Sequence, residues 1–133
     1  MSIDFRDVSQ NVYKILIIED NDTDVLLLKE VLGTSYPKST IVNVDTVHNA
    51  RQVLQEYSFD LIILDLNLPD SLGPKTIEDI RHITADTPIL IFTGMATSLT
   101  ITECYRLGAQ SLIEKSMLTD LKFTEIVAQY LPR

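Results

Sequence analysis

The sequence predicts an α/β fold: a doubly wound, five-stranded parallel sheet with helices on both faces. Three observations carry that prediction. Five short β-rich runs alternate with stretches of helical period. The runs are apolar on both faces, as strands are when helices cover both sides of a parallel sheet. The chain has 133 residues, 45% of them apolar, which suits one domain with a real core.

The elements follow in order. Tyr13–Ile18 is a buried-strand run that ends in Glu19-Asp20. Asn21 or Asp22 caps the next helix, which buries Val25, Leu28 and Leu32 and is expected to end at Gly33. Thr40–Val44 is the second strand. The second helix, capped by Asp45 or Thr46, sets Val47, Ala50, Leu54 and Tyr57 on one face. Leu61–Leu64 is the third strand and ends in Asp65. A loop, Leu66–Gly73, leads to a third helix with Pro74 at its first position and Ile77 and Ile80 inward. Pro88 opens the fourth strand, Ile89–Phe92, which ends in Thr93-Gly94. A helix over Ser98–Leu107 stops at Gly108. Ser111–Glu114 is a fifth strand ending at Lys115. The last helix, about Leu118–Leu131, carries Phe123, Val127 and Tyr130 inward. Right-handed crossovers make the flavodoxin-like strand order 2-1-3-4-5 the natural solution. Residues 13–131 then form the domain, and residues 1–12 an N-terminal extension.

Composition excludes several classes. Eleven Lys and Arg against nineteen Asp and Glu give a net charge of −8, with no basic cluster to neutralise phosphates. That argues against nucleic-acid binding and against docking on an anionic membrane. No apolar run approaches the roughly 20 residues that span a bilayer. The first eleven residues lack a signal core, and Cys104 has no partner for a disulfide, so a reducing cytoplasm is expected.

In such sheets, ligands bind outside the carboxyl ends of the strands, where strand order reverses. Those ends carry Glu19, Asp20, Asp65, Thr93 and Lys115. Like charges about 4 Å apart repel by roughly 4 kcal/mol at an effective dielectric near 20. The acids must therefore raise a pKa or hold a cation, and all-oxygen ligands suit Mg²⁺. Carboxylates, a divalent ion, an ammonium and a hydroxyl together suit a phosphoryl group. An ionised Asp can act as nucleophile without a base.

The segments KILIIEDN, LIILDLNLPDSLG, ILIFTG and GAQSLIEKS, in this order, resemble the receiver domain of two-component response regulators. The resemblance implies that Asp65 accepts a phosphoryl group from a sensor histidine kinase or phosphotransfer protein. It implies Mg²⁺ held by Glu19, Asp20, Asp65 and the backbone carbonyl of Asn67. It implies that Lys115 and Thr93 contact the phosphoryl oxygens, and that the acyl phosphate is lost slowly to water rather than turned over on a substrate. With no output domain attached after the last helix, the expected output is contact with a downstream protein or a homodimer.

Three positions depart from the family pattern. Glu19 replaces a usual Asp and adds one methylene. Ser116 replaces a usual Pro after Lys115, and a cis bond there would cost about 2.5–4 kcal/mol, so trans is expected. Leu112 replaces an aromatic and cannot repeat its ring movement. These departures motivate a rival, a pseudo-receiver that binds a partner without phosphorylation. A third class, an aspartyl-phosphate phosphatase, wants a second acid where Asn67 stands. His48 and His82 read as surface residues. Cys104 reads as a core thiol on a face shared with Ile101 and Tyr105. Tyr105, Leu107 and Leu112 are either core or a partner face.

Overall fold

The computed structural model describes residues 12–133, so nearly all of the expected N-terminal extension lies outside the described residues. Strands β1 (Lys14–Ile18), β2 (Thr40–Val44), β3 (Leu61–Leu64), β6 (Ile89–Thr93) and β7 (Ser111–Glu114) form one parallel sheet. Its order is β2-β1-β3-β6-β7, the predicted reversal, with β1 and β3 at the switch point. Helices α1 (Asp22–Ser35), α2 (Val47–Glu56), α3 (Lys75–Arg81), α4 (Ser98–Arg106) and α5 (Leu121–Tyr130) cover it.

The strand pleat sorts the core into two halves. Leu16, Ile18, Ile62, Leu64, Ile89 and Ile91 pack with Val47, Ala50, Ile77, Ile80 and Cys104 of α2, α3 and α4. Ile15, Ile17, Leu61, Ile63, Leu90, Phe92 and Ile113 pack with Leu28, Leu32, Phe123 and Val127 of α1 and α5. The two-sided apolarity of the runs thus has the cause the sequence suggested.

Several boundaries differ from expectation. Helix α1 runs through Gly33 to Ser35, because Leu32 and Tyr36 both bury on the same side and the Tyr36 N–H bonds to the Leu32 carbonyl. Tyr57 lies beyond α2 and is exposed, so it is not on the buried face with Val47 and Ala50. The loop Leu66–Gly73 contains a small antiparallel hairpin, β4 (Asn67–Leu68) with β5 (Ser71–Leu72). Pro74 occupies the cap position of α3 rather than its first turn. Residues Lys115–Met117 form a 3₁₀ turn, so α5 starts at Leu121 rather than near Leu118. The Lys115–Ser116 bond is trans. Gly108 sits at φ +115°, and a Cβ there would approach the Arg81 side chain to 3.0 Å. That side chain bonds to the Gly108, Thr84 and Thr87 carbonyls, tying α3 to the approach of β7.

The chain's exit is tied to its interior. The buried Tyr36 hydroxyl donates to the Leu131 carbonyl at 2.7 Å, across 95 residues. Tyr36→Phe strands that carbonyl and should cost about 1–2 kcal/mol in urea unfolding. An unchanged midpoint would remove this bond from the account of how α5 is held.

Candidate functional site

The ladders deliver the acids. The Glu19 N–H bonds to the Val44 carbonyl and the Asp65 N–H to the Ile18 carbonyl, each at 3.0 Å. Both residues thus continue their strands by one step, side by side at the carboxyl edge. Both are buried, whereas Asp20 is exposed. Carboxylate oxygens of Glu19, Asp20 and Asp65 all lie within 4.8 Å of one another.

Lys115 reaches this cluster from the end of β7. Its Nζ lies 2.8 Å from Glu19 Oε1 and 3.6 Å from Asp65 Oδ2. It lies 2.7 Å from Asp24 Oδ2, in the first turn of α1. Asp24 was not among the residues read from the sequence. Its signal is its place four residues after Asp20, one helical turn on in the same acidic stretch. The ammonium also stands 5.6 Å from the centroid of the Phe92 ring.

Thr93 closes β6 and is buried, in register with Glu114. Among the described residues, no hydrogen bond joins its hydroxyl to the acid cluster. Asn67 is exposed and opens the hairpin two residues after Asp65. Its backbone N–H and that of Leu66 favour the charged form of the Asp65 carboxyl. Of the residues singled out from the sequence, the structure brings Glu19, Asp20 and Asp65 together and sets Lys115 against Glu19 and Asp65, while Thr93 ends the strand next to the one that leads into Asp65. His48 and His82 are on the surface, and Cys104 is fully buried. Tyr105 is exposed, so it does not share the face of Cys104.

The charges do not balance. Burial pushes the Glu19 carboxyl up to about 7, with Lys115 opposing and Asp65 adding to the rise. Burial likewise raises Asp65, against the pull of Lys115. Burial alone would favour a neutral Lys115, but its hydrogen bond to Asp24 and the nearby carboxylates of Glu19 and Asp65 reverse this and hold it charged. One ammonium thus undercompensates three neighbouring acids besides Asp20. Glu19 Oε1 is buried and, although 2.8 Å from Nζ, has no hydrogen bond of acceptable geometry. An all-oxygen cluster with an orphaned anionic atom fits a hard divalent cation.

The hairpin is fastened to the start of α2. Asp70 accepts from the N–H groups of Val47 and His48 at 2.9 and 3.0 Å, so it shares the capping of α2 with Thr46. Burial is the largest single influence and opposes its charge, but the N–H groups of Val47, His48 and Asp70 itself together outweigh it and hold the carboxyl below the ordinary value. A depressed folded-state pKa stabilises above the unfolded value and is lost as pH falls through the folded one. Asp70→Ala should therefore cost about 1 kcal/mol at neutral pH. The gap from wild type should close on acidification below about pH 4. A gap that stays constant down to full protonation would show that the charge is not what matters.

Comparison with known proteins agrees with this architecture. The model of the response regulator receiver domain matches residues 15–127. Transcriptional regulatory protein KdpE of Staphylococcus aureus is 36% identical over 110 residues, which cover 80% of this chain and 45% of that protein. The chain spans about a quarter to under a half of the length of the first curated relatives it matches. Among solved structures, a response regulator from Hahella chejuensis superposes with a TM-score of 0.73 at 28% identity, covering 88% of this chain and 90% of that one. The Mn²⁺-bound form of response regulator Rcp1 superposes with a TM-score of 0.74 at 25% identity, covering 90% and 95%. With a match extending from β1 into α5, on this strand order, the chain belongs to the family of response regulator receiver domains.

Proposed function

We propose that this receiver domain accepts a phosphoryl group on Asp65 from a phosphohistidine of a sensor kinase or phosphotransfer protein. The observation that carries this reading is the buried Asp65 carboxylate at the switch point, flanked by two acids and the Lys115 ammonium. A carboxylate oxygen of Asp65 forms the new bond to phosphorus while the phosphorus–nitrogen bond of the donor breaks. The electron pair of that bond returns to the imidazole nitrogen. Glu19, Asp20, Asp65 and the Asn67 backbone carbonyl would hold Mg²⁺, which supplies charge neutralisation for the phosphoryl oxygens. Lys115 pairs with those oxygens as they arrive, and the Thr93 hydroxyl turns to donate to them. The acyl phosphate then hydrolyses slowly, which makes the domain a signalling module rather than a turnover enzyme.

The readout is a protein contact. Leu99 and Leu121, on α4 and α5, are about three-quarters exposed, and Tyr105 is half-exposed. This face suits a downstream protein or a second copy of the chain. No helix among the described residues is long and apolar enough to cross a membrane, and the cytoplasm is the compartment where a kinase partner would meet this domain.

The test is intact mass after incubation with Mg²⁺ and acetyl phosphate. One phosphoryl group should add, and prior chelation of the metal should prevent it. No addition, under conditions that label another receiver, would leave a binding module that works unphosphorylated.

A further inference from the structure

Lys115 is shared among three carboxylates, and the shortest of its contacts is to a residue outside the acid cluster. Asp24 Oδ2 lies 2.7 Å from Nζ, whereas Asp65 Oδ2 is 3.6 Å away. Asp24 belongs to α1, and its own N–H donates to Asn21 Oδ1, the cap of that helix. We propose that Asp24 is a positioning residue that holds the Lys115 ammonium on the α1 side of the crevice. A phosphoryl group arriving on Asp65 exchanges that bond for bonds to phosphoryl oxygens.

This rests on the reading of Asp65 as acceptor. An ammonium has three donors and no fixed fork, so it follows the strongest local anion. A phosphoryl group brings about two negative charges and three acceptor oxygens. The two nearest of the three carboxylates around Lys115, Glu19 and Asp24, differ in how readily they can be released. The Glu19 side chain is 1% exposed and Oε1 has no other partner, so losing Lys115 leaves it stranded. The Asp24 side chain is 22% exposed and sits in the first turn of a helix, where the backbone dipole favours a negative charge. Asp24 is therefore the partner that gives way. Its release carries the event from the acceptor into the N-terminal turn of α1, on the face of the sheet shared with α5.

The test is a titration with beryllium fluoride and Mg²⁺, a non-covalent mimic of a phosphoryl group on a carboxylate, followed by ¹⁵N NMR. In wild type, the Lys115 ammonium and the Asp24 and Val25 amides should shift together. Asp24→Asn removes the competing anion and should tighten beryllium fluoride binding about three- to tenfold. Asp24→Glu should restore wild-type affinity. Asp22→Asn removes an equal charge from the same turn and should change affinity by less than about twofold. Equal effects of Asp24→Asn and Asp22→Asn would reduce the role of Asp24 to bulk charge and overturn the proposal. Weaker binding by Asp24→Asn would overturn it too, since Asp24 would then aid the bound state. Wild type that bound no beryllium fluoride would instead overturn the acceptor reading itself.

Discussion

Asp65→Asn should take up no phosphoryl group under conditions that label the wild type fully. The amide keeps the volume of the carboxylate and an oxygen that can accept hydrogen bonds, but that oxygen is a far poorer nucleophile. The fold should survive and gain. Asp65 is buried beside Glu19, and among the described residues Lys115 is the one cation paired with the two acids. Removing one of them in chelator should raise stability by roughly 1–2 kcal/mol. Mg²⁺ should then protect the variant from unfolding less than it protects wild type, because one ligand charge is gone. Intact mass and urea unfolding with and without metal read all three effects. Phosphoryl uptake by Asp65→Asn at the wild-type stoichiometry would move the acceptor elsewhere.

Lys115→Met should produce the largest loss of stability at the site. The substitution keeps an unbranched side chain and deletes the ammonium that bridges Glu19, Asp24 and Asp65 and stands over the Phe92 ring. Taking one partner from a buried ionic cluster leaves uncompensated charge, which costs about 3–5 kcal/mol when burial is complete. The Lys115 side chain is 22% exposed, so a loss of about 2–3 kcal/mol in chelator is the expected figure. The loss should shrink as Mg²⁺ is added, since the metal becomes the only local countercharge and binding to the folded state stabilises it by mass action. A loss that is the same at every Mg²⁺ concentration would mean that Lys115 and a cation do not share these acids.

The sheet was legible in the sequence because its strands are short, apolar on both faces and bounded by turn residues. Ile15–Ile18 and Leu61–Leu64 admit no other partner surface than two helix layers. The crevice was legible for a topological reason: strand order and strand direction together fix which residues share an edge, before any side chain is placed. What escaped depended on tertiary contact. Gly33 looks like a helix end, yet the burial of Tyr36 and its bond to Leu131 draw α1 onward. The hairpin after Asp65 has only two residues on each side, too few for a periodic signal, and it is held by Asp70 reaching α2. Asp24 escaped because an acid in a first helical turn already has a local reason to be there. Its contact with Lys115 spans 91 residues, which no local pattern reveals.

The fastening of Asp70 to α2 has a practical consequence for observing this domain. The Val47 and His48 amide protons are held by a side chain of the segment that follows Asp65, not by their own helix. Their exchange with deuterated solvent therefore clocks the opening of that segment. Two protons at the start of α2 thus serve as a gauge of motion in the segment that follows the acceptor. They can be followed while the acceptor is empty, occupied or mutated, with no probe attached to the site itself.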